Sequence, residues 1–477
     1  MSKKNKKQRL TLTFGDIQSS GLNISERLSL KSAHHFVFLN ASILTLAACN
    51  GSSSREPSIE DSINIIYAEA SNGTIEGSSG IDTVSYFEIS HPINVDFMKS
   101  SDQVTFGDYA HTLIDIENII GTDFDDVLSD GTGNSTFTGG LGCDTFIISF
   151  GANTITDLET CDVFIVAEGA TLNGYIYNEF VSTVDTVSAG TVSLRGGTST
   201  ETVVDVKIDM TLASGGDFSI LSDSGNDIIT GGNFNDILDG RSGADTFIIS
   251  SGTDSILDLS TGDSLIVSDG ATANATNIVH FVATSNTSNM GVANLTASNE
   301  GAIIDLTNSS IGAYNLYGGL GVDLLTGNGS TDNLVGKEGN DVLNGGFGAD
   351  ILQGGSGNDV YLFNTNDVLI GESILELSGE GTDAIAIVTT TDFSNLNPTS
   401  FDSIEEIRFT GSNQTGTFLG EQLSDKTLLL TELEAGTSNV IINVTNSRDK
   451  KVYISFEGKS FRHKQVRKMI HAIVDVA

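Results

Sequence analysis

The sequence predicts an all-β fold, a parallel β-roll (a β-solenoid) in three repeat blocks, with β-rich spacers between them and a short C-terminal helix. Three observations predict it. A nine-residue unit of the form G-G-x-G-x-D-x-U-x, with U a large apolar residue, occurs eleven times in three in-phase blocks. Its eighth position is apolar in every copy: Leu128, Phe137 and Phe146, then Ile229, Leu238 and Phe247, then Leu325, Leu334, Leu343, Leu352 and Tyr361. With 53 glycines, three prolines and no tryptophan, the composition suits a stack of short strands and tight turns.

The longest block is unbroken from Gly318 to Leu362 (GGLGVDLLT, GNGSTDNLV, GKEGNDVLN, GGFGADILQ, GGSGNDVYL). The middle block runs from Ser222 to Ile248 and the first from Gly121 to Ile147. Each position of the unit has a physical task. Glycines at positions 1, 2 and 4 permit a tight turn and bring backbone carbonyls close to a cation. The aspartate at position 6 supplies a carboxylate, and the residue at position 8 points inward from a short strand. One turn and strand make half a coil, so residues i and i+18 stack about 4.8 Å apart. Two stacked turns can then offer two carboxylates and several carbonyls, the all-oxygen shell that Ca²⁺ takes at about 2.3–2.6 Å.

The spacing converts the repeats into expected sites. Asp323 pairs with Asp341, Asp332 with Asp350, Asp341 with Asp359, Asp227 with Asp245, and Asp126 with Asp144. That makes about five complete sites by the oxygen-ligand logic. Asp236 is left in a half-site, and Ser135 replaces the acid between Asp126 and Asp144.

The nonapeptide resembles that of the RTX (hemolysin-type calcium-binding) proteins. With its flanking strands the resemblance covers most of residues 81–415, and the nonapeptides are its specific part. Residues 82–86, 93–96 and 116–121 alternate apolar and polar side chains as strands do, and resemble the β-rich lead-in to such repeats. Residues 404–409 resemble the same element after the third block. The resemblance implies an exported protein with Ca²⁺ as its cofactor.

The formal charge of −39 is unevenly spread. Residues 1–31 hold seven basic and two acidic side chains, and residues 448–477 hold eight and three. Between them eight basic residues face 57 acidic ones, a net of −49. Such a chain repels itself and should fold poorly without counterions, so calcium binding and folding are expected to be one event. The same charge makes nucleic acid an unsuitable partner.

The N-terminus reads as an export signal. A positive cluster, MSKKNKKQR, is followed by a 13-residue apolar run from Phe36 to Ala48, too short to span a bilayer as a helix. Leu46-Ala47-Ala48-Cys49 resembles the lipobox of bacterial lipoproteins, which implies cleavage before Cys49 and lipidation of that cysteine. Any membrane association is expected through this anchor alone. The basic C-terminus is unlike the acidic tail used by type I exporters, which favours the N-terminal route to the outer membrane, the cell surface or the medium. Residues 452–474 are similar over about twenty positions to a strand-to-helix segment of tRNA pseudouridine synthases. That family's R-T-D-x-G motif is absent, so the segment reads as a strand and a basic amphipathic helix capping the solenoid.

The first two blocks are copies of one unit. Shifting residues 121–166 by 101 lands on 222–267, so that Ile155-Thr156-Asp157-Leu158 answers Ile256-Leu257-Asp258-Leu259, and Asp162 answers Asp263. Asp157 and Asp258 read as turn formers in this pattern, with cation ligation the less expected role. Cys143 and Cys161 lie 18 residues apart, one rung, and their counterparts are Ala244 and Gly262. A stacked pair is within disulfide range, and two unrelated small substitutions explain the pattern equally well. The expected division is a signal segment over 1–49, a polar linker over 50–80, lead-in and first block over 81–166, a spacer over 167–221, and the second block over 222–267. A second spacer over 268–317, the third block over 318–388, a β-rich tail over 389–446 and the basic cap over 447–477 complete it.

No catalytic constellation is present. The chain lacks H-E-x-x-H and G-x-S-x-G, and its seven histidines fall into no ligand spacing. The expected function is therefore a non-enzymatic, calcium-binding surface or secreted protein with a structural, adhesive or interaction role, its partner a cell surface or a polysaccharide. The alternative is the repeat region of an exported enzyme or toxin.

Overall fold

The computed structural model describes residues 64–197, 204–376, 379–423, 426–432, 438–443 and 453–457. The signal segment with Cys49 and the helical part of the C-terminal cap lie outside the described residues. Within these residues the regular elements are strands, apart from one 3-10 turn at Pro398–Phe401. No helix among the described residues is long and apolar enough to cross a membrane.

The strands wind into a parallel β-solenoid. One side is a 16-stranded sheet that runs from Asn64–Tyr67 to Ser373–Ile374. Facing it are sheets of eight, six and nine strands in succession, and a small three-stranded sheet follows at Thr391–Asp392, Thr415–Leu419 and Asn439–Asn443. Pairing is parallel except at an antiparallel excursion in the lead-in, where Asn94–Asp96, Val104–Phe106 and Tyr109–Ile114 form a meander.

Inside the blocks the register is the 18-residue step that the repeat demands. Thr145 lies beside Val127 and Val163, Ile228 beside Thr246, and Val342 beside Leu324 and Val360. Consecutive nonapeptides alternate between the two sides. All eleven position-8 side chains are fully buried at 0 % exposure, so the period-two alternation of each short strand builds one continuous apolar core. Deleting any one large member should cost about 2–5 kcal/mol.

The spacers are rungs of the same solenoid, and the copied unit continues through them. Thr171–Ile176, Glu179–Val181, Val187–Ser188 and Thr191–Gly196 are answered at a shift of 101 by Thr272–Ile278, His280–Val282, Ser288–Asn289 and Val292–Ala297. Each of these rungs has three sides. Glu179–Val181 begins the six-stranded sheet while Val187–Ser188 ends the eight-stranded one. His280–Val282 begins the nine-stranded sheet while Ser288–Asn289 ends the six-stranded one. Three-sided spacer rungs are thus where one facing sheet hands over to the next.

Candidate metal centre

Two columns of acidic side chains run along the edges of the solenoid, one at each turn. In each column the carboxylate of one rung accepts the backbone N–H of the acidic residue one rung before it. Asp126 N–H donates to Asp144 Oδ1 at 2.8 Å, and Asp144 N–H to Asp162 Oδ1 at 2.9 Å. Asp227 donates to Asp245 and Asp245 to Asp263 in the same way. In the third block Asp323 donates to Asp341, Asp341 to Asp359 and Asp332 to Asp350, at 2.7–2.8 Å. One carboxylate oxygen of each accepting residue is thereby spent on the backbone, while Asp323, with no acidic residue a rung before it, keeps a buried Oδ1 without a partner.

The second oxygen has two fates. At the first rungs of a column it caps a turn: Asp126 Oδ2 accepts from Thr122 N–H, Asp236 Oδ2 from Gly232, Asp323 Oδ2 from Gly319 and Asp332 Oδ2 from Asn328. Further along it has no partner. Oδ2 of Asp144, Asp254, Asp341, Asp350 and Asp359 is buried and makes no hydrogen bond. A buried carboxylate oxygen without a partner is costly, which marks these atoms as built for something else.

The position-1 glycines show what space lies beside them. A Cβ on Gly336 would sit 2.3 Å from Asp341 Oδ2 and 2.5 Å from the Gly354 carbonyl oxygen. On Gly318 it would meet the Gly336 carbonyl at 2.1 Å and Asp323 Oδ2 at 2.7 Å, and on Gly327 the Gly345 carbonyl at 2.4 Å and Asp332 Oδ2 at 2.5 Å. The missing side chain leaves a cradle bounded by carboxylate and carbonyl oxygens. That donor set is the one hard divalent cations take, and Ca²⁺ above all, so the residues present fit the ion that the sequence implies. Among the described residues, no three of Asp, Glu, His and Cys gather as a ready-made metal cluster. Backbone carbonyls must therefore complete any shell.

The electrostatics agree with the geometry. Burial pushes the Asp144 carboxyl up to about 9, against hydrogen bonding from Asp126 N–H, and repulsion from Asp162, Asp126 and Asp157 adds to the rise. Burial likewise takes Asp245, Asp341 and Asp350 up to about 7, with Asp126 and Asp332 up to about 6. Asp227, Asp236, Asp323 and Asp359 are raised by the same cause. Without a counter-charge the ladder resists ionising.

Every pairing expected at the 18-residue step is found as a backbone-linked pair, and one expectation is corrected. Asp236 does not stand alone: its N–H donates to Asp254 Oδ1 at 2.9 Å. Ser135 is followed on its column by Asn153, whose side chain accepts the Ser135 N–H at 2.7 Å. The columns also reach residues that the motif does not mark. Asp162, Asp254 and Asp263 continue them at the same step. Glu372, Asp383 and Glu405 continue them after longer connections, accepting from Asp350, Asp359 and Asp383 respectively. The signal for the first three was chiefly phase, because each lies 18 residues after a position-6 aspartate while the leading glycine pair has gone, Gly252 before Asp254 being the one position-4 glycine kept.

Cys143 and Cys161 form a disulfide, with Cα atoms 5.1 Å apart, which resolves the alternatives left by their spacing. It staples two rungs beside Asp144 and Asp162. The family model described as the RTX calcium-binding nonapeptide repeat matches the chain in four copies, over residues 120–155, 221–256, 315–343 and 326–361. No curated protein matches the chain. The protein thus carries RTX calcium-binding repeats wound into a β-solenoid.

Proposed function

We propose that this protein is an exported calcium-binding β-roll whose folding is coupled to Ca²⁺, with a structural, adhesive or interaction role at a cell surface or in the medium and no catalytic activity. The observation that carries the reading is the row of buried, unpartnered Oδ2 atoms beside oxygen-lined glycine cradles in the repeat blocks. Asp126, Asp144, Asp227, Asp236, Asp245, Asp323, Asp332, Asp341, Asp350 and Asp359 supply the carboxylates, and the position-1 glycines supply carbonyl oxygen. Bound calcium supplies positive charge and coordination where the facing carboxylates otherwise repel one another. The aspartates themselves do two things, holding the preceding rung through one oxygen and presenting the other to the cradle.

Export is supported by the Cys143–Cys161 disulfide, which persists in oxidising compartments and rarely in a bacterial cytosol. Extracellular calcium modules bind at about 10⁻⁴–10⁻³ M, above cytosolic calcium, so the chain stays open before export and orders outside. Cys49 is proposed as the lipidated residue, and a cell surface or a polysaccharide as the partner.

Far-UV circular dichroism of the purified protein during a Ca²⁺ titration, with Mg²⁺ as control, tests the reading. The expected result is a cooperative gain of β signal at sub-millimolar to millimolar Ca²⁺ that Mg²⁺ does not reproduce. A chain fully β-folded in chelator at neutral pH and unchanged by calcium would overturn it.

A further inference from the structure

Each repeat block closes on a carboxylate that the nonapeptide does not contain. Through the blocks position 1 is almost always glycine. One rung beyond the last such glycine, the chain places an acid there instead: Asp157 beyond Gly139, Asp258 beyond Gly240, and Glu376 beyond Gly354. The strand registers confirm the alignment. Phe137 lies beside Ile155, Leu238 beside Ile256 and Leu352 beside Ile374, two residues before each glycine–acid pair. In all three blocks the glycine N–H donates to the acid, Gly139 to Asp157 Oδ1 at 2.8 Å, Gly240 to Asp258 Oδ1 at 3.1 Å and Gly354 to Glu376 Oε1 at 2.7 Å.

The same three glycines face a position-6 carboxylate on their other side. A Cβ there would lie 2.1 Å from Asp144 Oδ2, 2.5 Å from Asp245 Oδ2 and 2.3 Å from Asp359 Oδ2. Gly121, Gly318, Gly327 and Gly336 meet, besides their aspartate, a carbonyl oxygen from the next rung, while Gly231 meets two carboxylates, Asp236 Oδ2 and Asp254 Oδ2. The atoms nearest the closing glycines include no carbonyl oxygen. Asp144 Oδ2 and Asp359 Oδ2 have no hydrogen-bond partner, and both residues are at most 1 % exposed. On the opposite side of the cradle, Asp258 Oδ2 and Glu376 Oε2 are also buried and unpartnered, while Asp157 Oδ2 accepts the Gly140 N–H at 2.9 Å. Repulsion from Asp157 contributes to the raised Asp144, and repulsion from Asp359 to the raised Glu376.

We propose that Asp157, Asp258 and Glu376 are cation ligands that, with Asp144, Asp245 and Asp359, form three block-closing calcium sites distinct from the interior sites built of one carboxylate and a carbonyl. The proposal rests on the calcium reading above and deepens it. The cradles at Gly318, Gly327 and Gly336 offer one carboxylate oxygen and a carbonyl; a closing cradle lies between two acids. Calcium affinity in oxygen sites rises with the charge of the ligand set, so the closing sites bind more tightly than these and fill first. In the first two units the last rung is then secured before a spacer without buried carboxylates begins.

The competing role for these acids is that of a cap on the glycine N–H, and the amide variants separate the two. Asparagine or glutamine keeps the acceptor oxygen and loses the charge. Equilibrium dialysis with radioactive calcium on the full chain should resolve a tight class that includes the three closing sites in the wild type. In the D157N/D258N/E376Q variant the tight class should weaken by at least about tenfold, the scale on which single partners of metal sites act. Its circular dichroism in saturating calcium should stay that of the wild type. The D332N variant, which changes a site built of one carboxylate and a carbonyl, should leave the tight class in place. An intact tight class in the triple variant would overturn the proposal and leave the acids as caps. Should the triple variant not fold, E376Q alone must lower the tight class by one site, and an undiminished class would overturn the proposal. A wild-type chain that binds no calcium at all would instead overturn the calcium reading on which it rests.

Discussion

Two glycines nine residues or fewer apart in the third block should respond to alanine in opposite ways. Gly336 is a position-1 glycine with ordinary negative backbone geometry, so the cost of a side chain there is steric alone. Its Cβ would lie 2.3 Å from Asp341 Oδ2, 2.5 Å from the Gly354 carbonyl oxygen and 3.0 Å from Asp341 Cβ. Against an ordinary non-bonded separation of about 3.5 Å, that is an overlap of roughly 1 Å on two oxygens at once. Asp341 is fully buried and the Gly354 carbonyl belongs to the next rung, so neither moves without disturbing the stack. Overpacking of this kind costs about 1–3 kcal/mol. The methyl group also occupies the cradle, so one interior calcium site should disappear. Gly329, by contrast, has nothing within 4 Å of its missing Cβ. G329A should be neutral or stabilising by about 0.4–1 kcal/mol, through a less flexible unfolded chain. Urea unfolding in saturating calcium, with calcium counted per chain, reads both effects. If G336A binds the wild-type number of ions and unfolds at the wild-type midpoint, the cradle is not where the cation sits.

Acid should substitute for calcium in part. In the folded, metal-free chain Asp245, Asp341 and Asp350 are raised to about 7 and Asp144 to about 9, so the fold holds protons that the unfolded chain has already lost. Stability of the metal-free protein is then fullest below about pH 4 and declines as the pH rises through about 7, and on to about 9 where Asp144 loses its proton. Circular dichroism of metal-free protein should show more β structure at pH 4.5 than at pH 7.5, and a gain of structure on raising the pH would contradict the charge ladder. The Cys143–Cys161 bridge closes a loop of 18 residues and should contribute about 3 kcal/mol on chain-entropy grounds. The C143A/C161G variant installs the residues that the second unit carries at those positions. It should unfold at lower urea while keeping its calcium count, and an unchanged midpoint would show the staple to be without structural effect.

Much of this was legible because the nonapeptide fixes side-chain direction twice over. The inward position 8 and the turn-forming glycines are independent signals that agree in phase, and the 18-residue register follows from them. Legibility failed where one signal survived alone. Asp254 completes the pair with Asp236, yet the unit around it, ISSGTDSIL, has lost the two leading glycines and kept Gly252, the aspartate and the inward Ile256. The spacers were harder still, because their rungs abandon the step of 18. Thr171 pairs with Thr191 and Glu179 with Lys207, steps set by three-sided coils that no nonapeptide describes. Glu372 and Asp383 were hidden for the same reason, their columns resuming only after longer connections.

The distribution of buried charge explains why blocks and spacers alternate. Among the described residues no carboxylate is buried between Asp162 and Asp227, or between Asp263 and Asp323. In those intervals the buried turn-closing groups are neutral, and the aspartates that close turns, Asp209 at Thr211 N–H and Asp305 at Thr307 N–H, are only half-buried. Thr186 accepts the Thr183 N–H, and Asn289 accepts the Gly291 N–H. The apolar core continues unbroken through Leu172, Phe180 and Leu194, and again through Phe281 and Leu295. In a solenoid each rung answers only to its neighbours, so a neutral spacer can hold its shape by apolar burial while a charged block cannot. The repulsion that metal must offset is therefore divided into three separate ladders rather than summed along one. Dividing it limits how far a strained, metal-free ladder can propagate its cost, because the first two ladders end against rungs that bury no carboxylate. On this view the spacers insulate the blocks electrostatically, and their three-sided geometry follows from the need to close a coil without the glycine–aspartate turn.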